Sequence, residues 1–91
     1  MKFSIILPTY KKKDVVLKQL ERLYSYFEKN TEEFELIFVI DGIIDNTKDI
    51  LTEYIAENKL KNIKVVAYKQ NRGKGFAIRY GLKYASGDVI G

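Results

Sequence analysis

The 91-residue sequence contains no cysteine and no histidine. These absences exclude disulfide bonds, thiolate nucleophiles, the usual zinc sites and imidazole acid–base catalysis. No apolar run approaches the roughly 18 residues that are needed to cross a bilayer. Because Pro8 ends the apolar N-terminal stretch and no small-residue cleavage site follows, we expect a buried strand there rather than a signal peptide. Any chemistry must therefore come from carboxylates, lysine, arginine, tyrosine or backbone amides.

Composition and charge indicate one soluble, globular domain. Hydrophobic residues make up 46% of the chain and charged residues 31%, and the length allows one domain at most. The net charge of +4, to which the Lys11-Lys12-Lys13 run contributes, favours phosphate-bearing partners or an anionic membrane surface. Acidic residues are interspersed throughout and no nucleic-acid-binding motif is present, so we expect no nucleic-acid partner.

Apolar residues follow a regular alternation of strands and helices. Short apolar runs predict strands that are buried on both faces, and Pro8 is expected to stop the first of them. A stripe at helical spacing, formed by Val16, Leu20, Leu23 and Phe27, predicts a helix that begins at the N-cap Asp14. The predicted elements are strand 3–7, helix 14–30, strand 35–40, helix 47–58, strand 63–68, helix 74–85 and the start of a strand at 88–91.

This order predicts an α/β fold, a Rossmann-like parallel sheet with helices on both faces. Strands joined by helical crossovers are parallel, and the crossovers are almost always right-handed. In such sheets ligands bind beyond the carboxyl ends of the strands. Three loops therefore share one rim and are the candidates for a binding site: 8–13, 41–47 and 68–74. Near the other end of the last helix, Gly87 is predicted to adopt the left-handed conformation of a helix C-terminus.

The third rim loop, Asn71-Arg72-Gly73-Lys74-Gly75, raises the question of phosphate binding. It does not have the spacing of a P-loop, and Ile78 occupies the sixth position of a dinucleotide fingerprint that would start at Gly73. Backbone amides at the start of the following helix, together with Lys74 and Arg79, could still hold an anion. The alternative, which stays open at this point, is that the glycines only permit a tight turn.

The first two rim loops carry further candidates. Asp41 follows a buried strand and could accept hydrogen bonds from a nucleobase or a ribose hydroxyl, with Asp45 nearby. Tyr10 offers an aromatic face for a base. Each has a structural alternative: Asp41-Gly42 as an ordinary turn, Asp45 or Thr47 as a helix cap, and Tyr10 as a cover for the sheet edge.

Three segments together resemble the N-terminal half of family 2 glycosyltransferases, which have the GT-A fold. They are SIILPTY (4–10), ELIFVIDGIIDNT (35–47) and NRGKGFAIRYGLKYASGD (71–88), in the family's order and spacing. The third is most similar to the dolichyl-phosphate glucosyltransferase branch, whose members move a sugar from a nucleotide diphosphate to a polyprenyl phosphate. The resemblance covers nearly the whole chain.

The resemblance implies a set of donor-binding residues. The segment after the first strand lies against the nucleobase in the family, the second acid of an Asp-Asp-Gly-Ser turn hydrogen-bonds the base, and basic residues of the third segment lie near the donor phosphates. The matching positions here are, in that order, Pro8, Thr9 and Tyr10, then Asp41, then Lys74 and Arg79. The chain departs from the pattern where Lys11 replaces an asparagine and where Ile40 and Ile43 replace the first acid and the serine.

The resemblance also implies a cofactor, a substrate and a location. An Asp-x-Asp motif that holds a divalent cation is expected just after Gly91, so Mg²⁺ or Mn²⁺ is expected for the full-length enzyme and none for these residues alone. The donor is a nucleotide-diphosphate sugar, with a UDP-sugar favoured, and the acceptor is polyprenyl phosphate or a saccharide. The resemblance implies a cytoplasmic location, and for the full-length protein the cytoplasmic membrane face is an alternative.

We therefore expect residues 1–91 to be the nucleotide-sugar-binding half of a single, partial GT-A domain. We expect weak nucleotide binding at most, no turnover, and no assignable catalytic residue within the chain. We also expect self-association through an exposed sheet edge. The alternative is a non-catalytic nucleotide- or phosphate-binding module that uses the same rim.

Overall fold

A computed structural model describes residues 2–10, 15–30, 33–43 and 46–91, without the side chains of Val89 and Ile90. The predicted Lys11–Lys13 run, the Asp14 cap and the candidate Asp45 lie outside the described residues. The elements are β1 (Lys2–Thr9), α1 (Val16–Lys29), β2 (Glu33–Asp41), α2 (Thr47–Glu57), β3 (Ile63–Tyr68), α3 (Lys74–Leu82) and β4 (Val89–Ile90).

The described strands form one parallel sheet in the order β3-β2-β1-β4. β2 is its centre, and every residue of that strand after Glu33 is buried, because helices cover both faces and a strand pairs on each side. The predicted parallel α/β sheet with helices on both faces is confirmed.

Two apolar clusters hold the helices to the sheet. On one face, α1 and α2 pack on β1 and β2 through a cluster that includes Val16, Leu20, Phe38 and Leu51. The predicted apolar stripe of α1 is confirmed, since its four members all belong to this cluster or pack against it. On the other face α3 packs against the sheet, and its Ala77 lies on a cluster of β1 and β2 side chains, Ile6, Ile37 and Val39.

Pro8 does not stop β1, which continues through it to Thr9. Proline lacks only the backbone N–H, so a strand tolerates it where that N–H would have no partner. The N–H of Ile6 points toward the β4 side and donates to the carbonyl of Gly91. Because N–H groups two residues apart in a strand point the same way, Pro8 also faces that side, one step beyond the described pairs of β4.

α3 is shorter than predicted, ending at Leu82 instead of Ala85. The N–H groups of Lys83, Tyr84 and Ala85 donate to carbonyls three residues earlier, which tightens the end of the helix. The next residue, Ser86, is then held by a carboxylate of the sheet, so tertiary contacts rather than local propensity end the helix. α2 ends one residue earlier than predicted, with Asn58 as its C-cap.

Candidate functional site

The carboxyl ends of β1, β2 and β3 meet at one edge of the sheet and enclose a cavity of about 600 Å³. The strand register aligns these ends, since Thr9 pairs with Ile40 and Asp41 with Tyr68. The cavity is lined by Pro8, Thr9, Tyr10, Asp41, Asn71, Gly73 and Lys74. Five of the six residues proposed from the sequence therefore line one cavity.

The wall contributed by β1 combines a buried polar residue with an exposed ring. Thr9 is buried, and its hydroxyl donates to the carbonyl of Leu7 at 3.1 Å. Tyr10, the residue after the strand, is 39% exposed. Together with Pro8, it gives this side of the cavity a largely apolar surface of the kind that can contact a planar base.

Asp41 lies at the bottom of the cavity, at the end of β2, and its side chain is buried, with 3% of the residue exposed. Its Oδ1 accepts hydrogen bonds from the Tyr68 hydroxyl at 2.6 Å and from the Arg72 N–H at 2.8 Å. Its Oδ2 accepts from the Asn71 side-chain amide at 2.7 Å and from the Gly73 N–H at 3.1 Å. Burial, followed by the hydrogen bond and the charge of Asp41, raises the pKa of Tyr68 well above its usual range, so the phenol remains a donor.

The turn before α3 brings the basic wall of the cavity into place. Gly73 is the N-cap of α3 and Lys74 its first residue, and no acidic side chain lies in the first turn. The first N–H groups of any helix lack intrahelical acceptors, and the helix dipole favours anions there. Lys74 adds a positive charge at the same point, so this wall suits a phosphate group.

The two arginines nearest to Lys74 in the sequence, Arg72 and Arg79, are not part of the cavity lining. Arg79 is exposed, and its guanidinium lies beside Gly75, where an added Cβ would be 3.7 Å from the Arg79 Nη1. Arg72 lies over the Phe76 ring at 5.3 Å from its centre. Arg79 is not among the residues that line the cavity. Its role near a donor phosphate therefore stays a prediction.

Asn71 was not among the candidate residues, although its side chain both lines the cavity and binds Asp41. The signal that could have identified it is the pairing of an acid at one strand end with an amide in the next rim loop, at one edge of a parallel sheet. Thr47, considered as a cap, is instead the first helical residue of α2 and is buried.

The described residues do not fit a divalent cation. Among them, no group of three acidic side chains lies close enough together to hold a metal ion. Asp41 is surrounded by hydrogen-bond donors, which repel a cation rather than help to bind it. This part of the chain therefore supplies a nucleotide-sized cavity with a basic wall and no cation ligand set.

A parallel α/β sheet with a cavity at its carboxyl edge is an architecture that binds ligands at this edge, nucleotides among them. The model of glycosyl transferase family 2 matches residues 4–91. The chain belongs to this family, and its fold is the nucleotide-binding part of the GT-A fold.

Curated relatives match over nearly the whole chain. It is 31% identical over 90 residues to the uncharacterized glycosyltransferase YkcC of Bacillus subtilis, covering 99% of this chain and 27% of YkcC. It is 29% identical over 89 residues to the dolichyl-phosphate beta-glucosyltransferase of Dictyostelium discoideum, covering 92% of this chain and 27% of that protein. The chain thus spans about a quarter of the length of the relatives it matches.

A solved structure has the same fold. It is the mannosyltransferase PcManGT from Pyrobaculum calidifontis in complex with GDP-Man and Mn²⁺, with a TM-score of 0.83 and 21% sequence identity. The match covers 97% of this chain and 25% of PcManGT. The predicted resemblance to family 2 glycosyltransferases is confirmed by these matches.

Proposed function

We propose that this chain is the nucleotide-sugar-binding half of a glycosyltransferase that moves a sugar from a nucleotide diphosphate, preferably a UDP-sugar, to polyprenyl phosphate. The observation that carries the proposal is the single cavity formed by all three rim loops in a chain of this family. In support, PcManGT was solved with GDP-Man and Mn²⁺, and relatives are named as dolichyl-phosphate or undecaprenyl-phosphate transferases.

In this proposal the two walls of the cavity bind the two ends of the donor. The apolar wall of Pro8 and Tyr10 contacts the nucleobase. The opposite wall, with the N–H groups of the first α3 turn and Lys74, binds the diphosphate through oriented dipoles and charge. Arg79, one turn further along α3, approaches the diphosphate from outside the lining.

The cation expected for the full-length enzyme, Mg²⁺ or Mn²⁺, would offset negative charge on the donor diphosphate when bound. No step is assigned to it here, because the described residues do not form its site. The proposal therefore limits this chain to weak nucleotide binding without sugar transfer. The alternative is a non-catalytic nucleotide- or phosphate-binding module that uses the same rim.

Calorimetry with UDP, UDP-glucose and GDP-mannose tests the proposal. We expect weak binding, tighter for UDP and UDP-glucose than for GDP-mannose. Lys74→Ala should weaken UDP binding at least about tenfold, because a charge-assisted hydrogen bond contributes roughly 1.5 kcal/mol or more. Lys29→Ala, which removes the same charge from the last turn of α1, is the matched control and should leave affinity unchanged.

Two results would contradict the proposal. One is the absence of heat with all three ligands at millimolar concentration, which would leave the cavity without a nucleotide. The other is sugar transfer to polyprenyl phosphate by the 91 residues alone, which would show that the chain contains the complete machinery.

Self-association and membrane proximity belong to the same proposal. β3 is at the end of the strand order, so its outer edge has no strand partner among the described residues and can pair with a second copy. A sedimentation coefficient that stays at the monomer value as concentration rises would contradict this.

No helix in the described part of the chain is long and apolar enough to span a bilayer. We propose a cytoplasmic location that includes the cytoplasmic membrane face for the full-length protein, since some relatives are named for lipid-phosphate acceptors.

A further inference from the structure

A second cavity lies beside the cavity of the three rim loops, where the end of β1 meets the start of α1. Its volume is about 470 Å³, and it is lined by Pro8, Val15, Lys18, Gln19 and Arg22. Pro8 also lines the cavity of the rim loops, so the two cavities are neighbours at the same end of the sheet. The function proposed above uses none of the α1 residues in this lining.

The lining of the second cavity combines apolar surface with hydrogen-bond donors. Pro8 and Val15 supply the apolar surface, and the other lining residues supply side-chain N–H groups. The guanidinium of Arg22 presents its N–H groups as a planar fork, to which Lys18 adds an ammonium and Gln19 an amide. Such donors match the oxygens of a phosphate group. No acidic residue is among the described residues that line this cavity.

The positive charges of Lys18 and Arg22 are not neutralised by any part of the chain that the structure describes. The two residues lie one turn apart on the same face of α1, where like charges repel each other. Neither of them forms an ion pair with a described residue. Glu21, the acid beside Arg22 in the sequence, instead accepts a hydrogen bond from the Tyr54 hydroxyl of α2 at 2.7 Å. An anion in the cavity would therefore replace a repulsion by two attractions.

We propose that Lys18, Gln19 and Arg22 form a second anion site, which binds a phosphate group other than the phosphates of the sugar donor. The phosphate is either free in solution or part of a lipid headgroup. This inference does not rest on the proposed nucleotide site, because Pro8 is the one residue that both linings name. The cavity is large enough for a phosphate together with part of the group that carries it.

Titration of the isotope-labelled chain with inorganic phosphate, followed by amide NMR, tests the site. We expect saturable shifts of the N–H signals of Lys18, Gln19 and Arg22. Acetate at the same pH and ionic strength should give no saturable shift there, because it carries less charge and fewer oxygens for the same donors. Absence of saturable phosphate shifts at α1, or saturation by acetate at the same concentration, would overturn the proposal.

Three variants distinguish a specific site from a general attraction to the basic chain. Arg22→Ala should weaken phosphate binding at α1 at least about tenfold, because a charge-assisted hydrogen bond is lost. Arg22→Lys keeps the charge but loses the fork, so we expect a loss of about threefold. Lys48→Ala removes the same charge from the exposed first turn of α2 and should change nothing. Equal losses in all three variants would overturn the proposal.

These variants should fold, since Arg22 and Lys48 are exposed. The signals of Gly73 and Lys74 separate this inference from the proposed function. In Arg22→Ala their response to UDP should stay as in the parent chain. Absent UDP binding in the parent chain would overturn only the proposed function, whereas phosphate shifts confined to Gly73 and Lys74 would overturn only the second site.

Vesicles distinguish the two sources of the phosphate. The chain is sedimented with phosphatidylcholine vesicles that contain or lack phosphatidic acid, at physiological salt, so that long-range attraction is screened. Retention by phosphatidic acid that falls at least about threefold in Arg22→Ala, and not in Lys48→Ala, supports a site for a lipid headgroup. Saturable phosphate shifts without such retention support a site for free phosphate. Absence of both responses would overturn the proposal.

Discussion

Two buried carboxylates on β2, Glu35 near its start and Asp41 at its end, are each 3% exposed and lie on the same face of the sheet. They differ in what binds them. Glu35 accepts hydrogen bonds from Ser4 and Ser86 and forms an ion pair with Lys64 at 3.0 Å. Within the described residues, Asp41 accepts from four uncharged donors, and all four come from residues 68–73.

The positions of these partners show what each carboxylate does. Asp41 binds the residues just before α3, and Glu35 binds Ser86, which follows the helix. Between them, Ile37 and Val39 of the same strand face pack against α3 at Ala77. The two carboxylates therefore fix the two ends of α3 on the sheet. Asp41 does so at the cavity, whereas Glu35 does so at the opposite edge, where it also ties β1 to β2 through Ser4.

The comparison teaches that burial and hydrogen bonding alone do not distinguish a site residue from a structural one. Glu35 is charge-paired and bound from β1, from β3 and from the segment before β4, which makes it a stabiliser of the sheet. Asp41 shapes one turn beside a cavity, and its hydrogen-bond partners in the described ranges are all uncharged. Removing the first should affect stability, and removing the second should affect binding.

The largest effect is expected from Glu35→Gln. This change removes the negative charge that faces Lys64 and presents an amide group to donors that need an acceptor. We expect the free energy of unfolding to fall by about 2–4 kcal/mol, measured by urea denaturation. Nucleotide affinity of the folded fraction should stay as in the parent chain. Glu28→Gln, on the exposed side of α1, should change stability by less than about 0.5 kcal/mol.

A Glu35→Gln variant with unchanged stability and weakened nucleotide binding would contradict the conclusion that Glu35 stabilises the sheet. It would mean that the far end of α3 controls the cavity more than the near end.

A low pH should destabilise the folded chain mainly by protonating Glu35. Burial on its own raises the pKa of this carboxyl, but hydrogen bonds from Ser4, Ser86 and Lys64 outweigh it and lower the pKa from 4.5 to about 2. A depressed folded-state pKa gives stability that is present above pH 4.5 and is lost as the pH falls toward 2. The contribution is at most about 3 kcal/mol, from a side chain that is almost fully buried.

The measurement is the free energy of unfolding between pH 5 and pH 2, for the parent chain and for Glu35→Gln. The parent should lose stability over this window, and the variant should show a flatter profile because glutamine does not titrate. Equal slopes for the two proteins would show that other groups cause the acid sensitivity.

The sequence predicted the fold well because the fold rests on periodicity. Apolar runs and the helical stripe of α1 depend only on which residues face the core, and the order of elements then limits the sheet topology. Element ends were less predictable, because they depend on partners far away in the chain. Pro8 stays in β1 because its missing N–H points to the β4 side, beyond the described pairs of that strand, and α3 ends early where Glu35 holds Ser86.

Gly87 illustrates the same limit. The sequence suggested a left-handed helix end, and this was wrong, since Gly87 does not have a positive φ. Its role is close packing: a Cβ there would lie 2.5 Å from the Ser4 hydroxyl and 2.8 Å from the Lys2 carbonyl. Only the approach of the chain to β1 creates this requirement, and no local pattern encodes it.

The sequence allowed us to predict which loops form the site, but not the contacts of their side chains. Parallel strands bring their carboxyl ends together, so the loops that carry Tyr10, Asp41 and Lys74 had to meet. The partners of Asp41 were not predictable, because two of them are backbone N–H groups that any sequence would supply. Whether the acid faces a ligand or a turn depends on the path of residues 69–73, which the sequence does not specify locally.

The smallest effect is expected from Tyr68→Phe, which removes one of the four donors to Asp41 without adding a group. The loss should be about 1 kcal/mol of stability by urea denaturation, since the hydroxyl is part-buried and a typical hydrogen bond contributes that much. UDP affinity should fall by no more than about twofold, because Asn71, Arg72 and Gly73 still hold the turn. The matched control is Tyr54→Phe, whose hydroxyl donates to Glu21 at an exposed position and should cost less than about 0.5 kcal/mol. A loss of UDP binding in Tyr68→Phe of about tenfold or more would mean that the phenol, and not the other three donors, holds the turn beside the cavity.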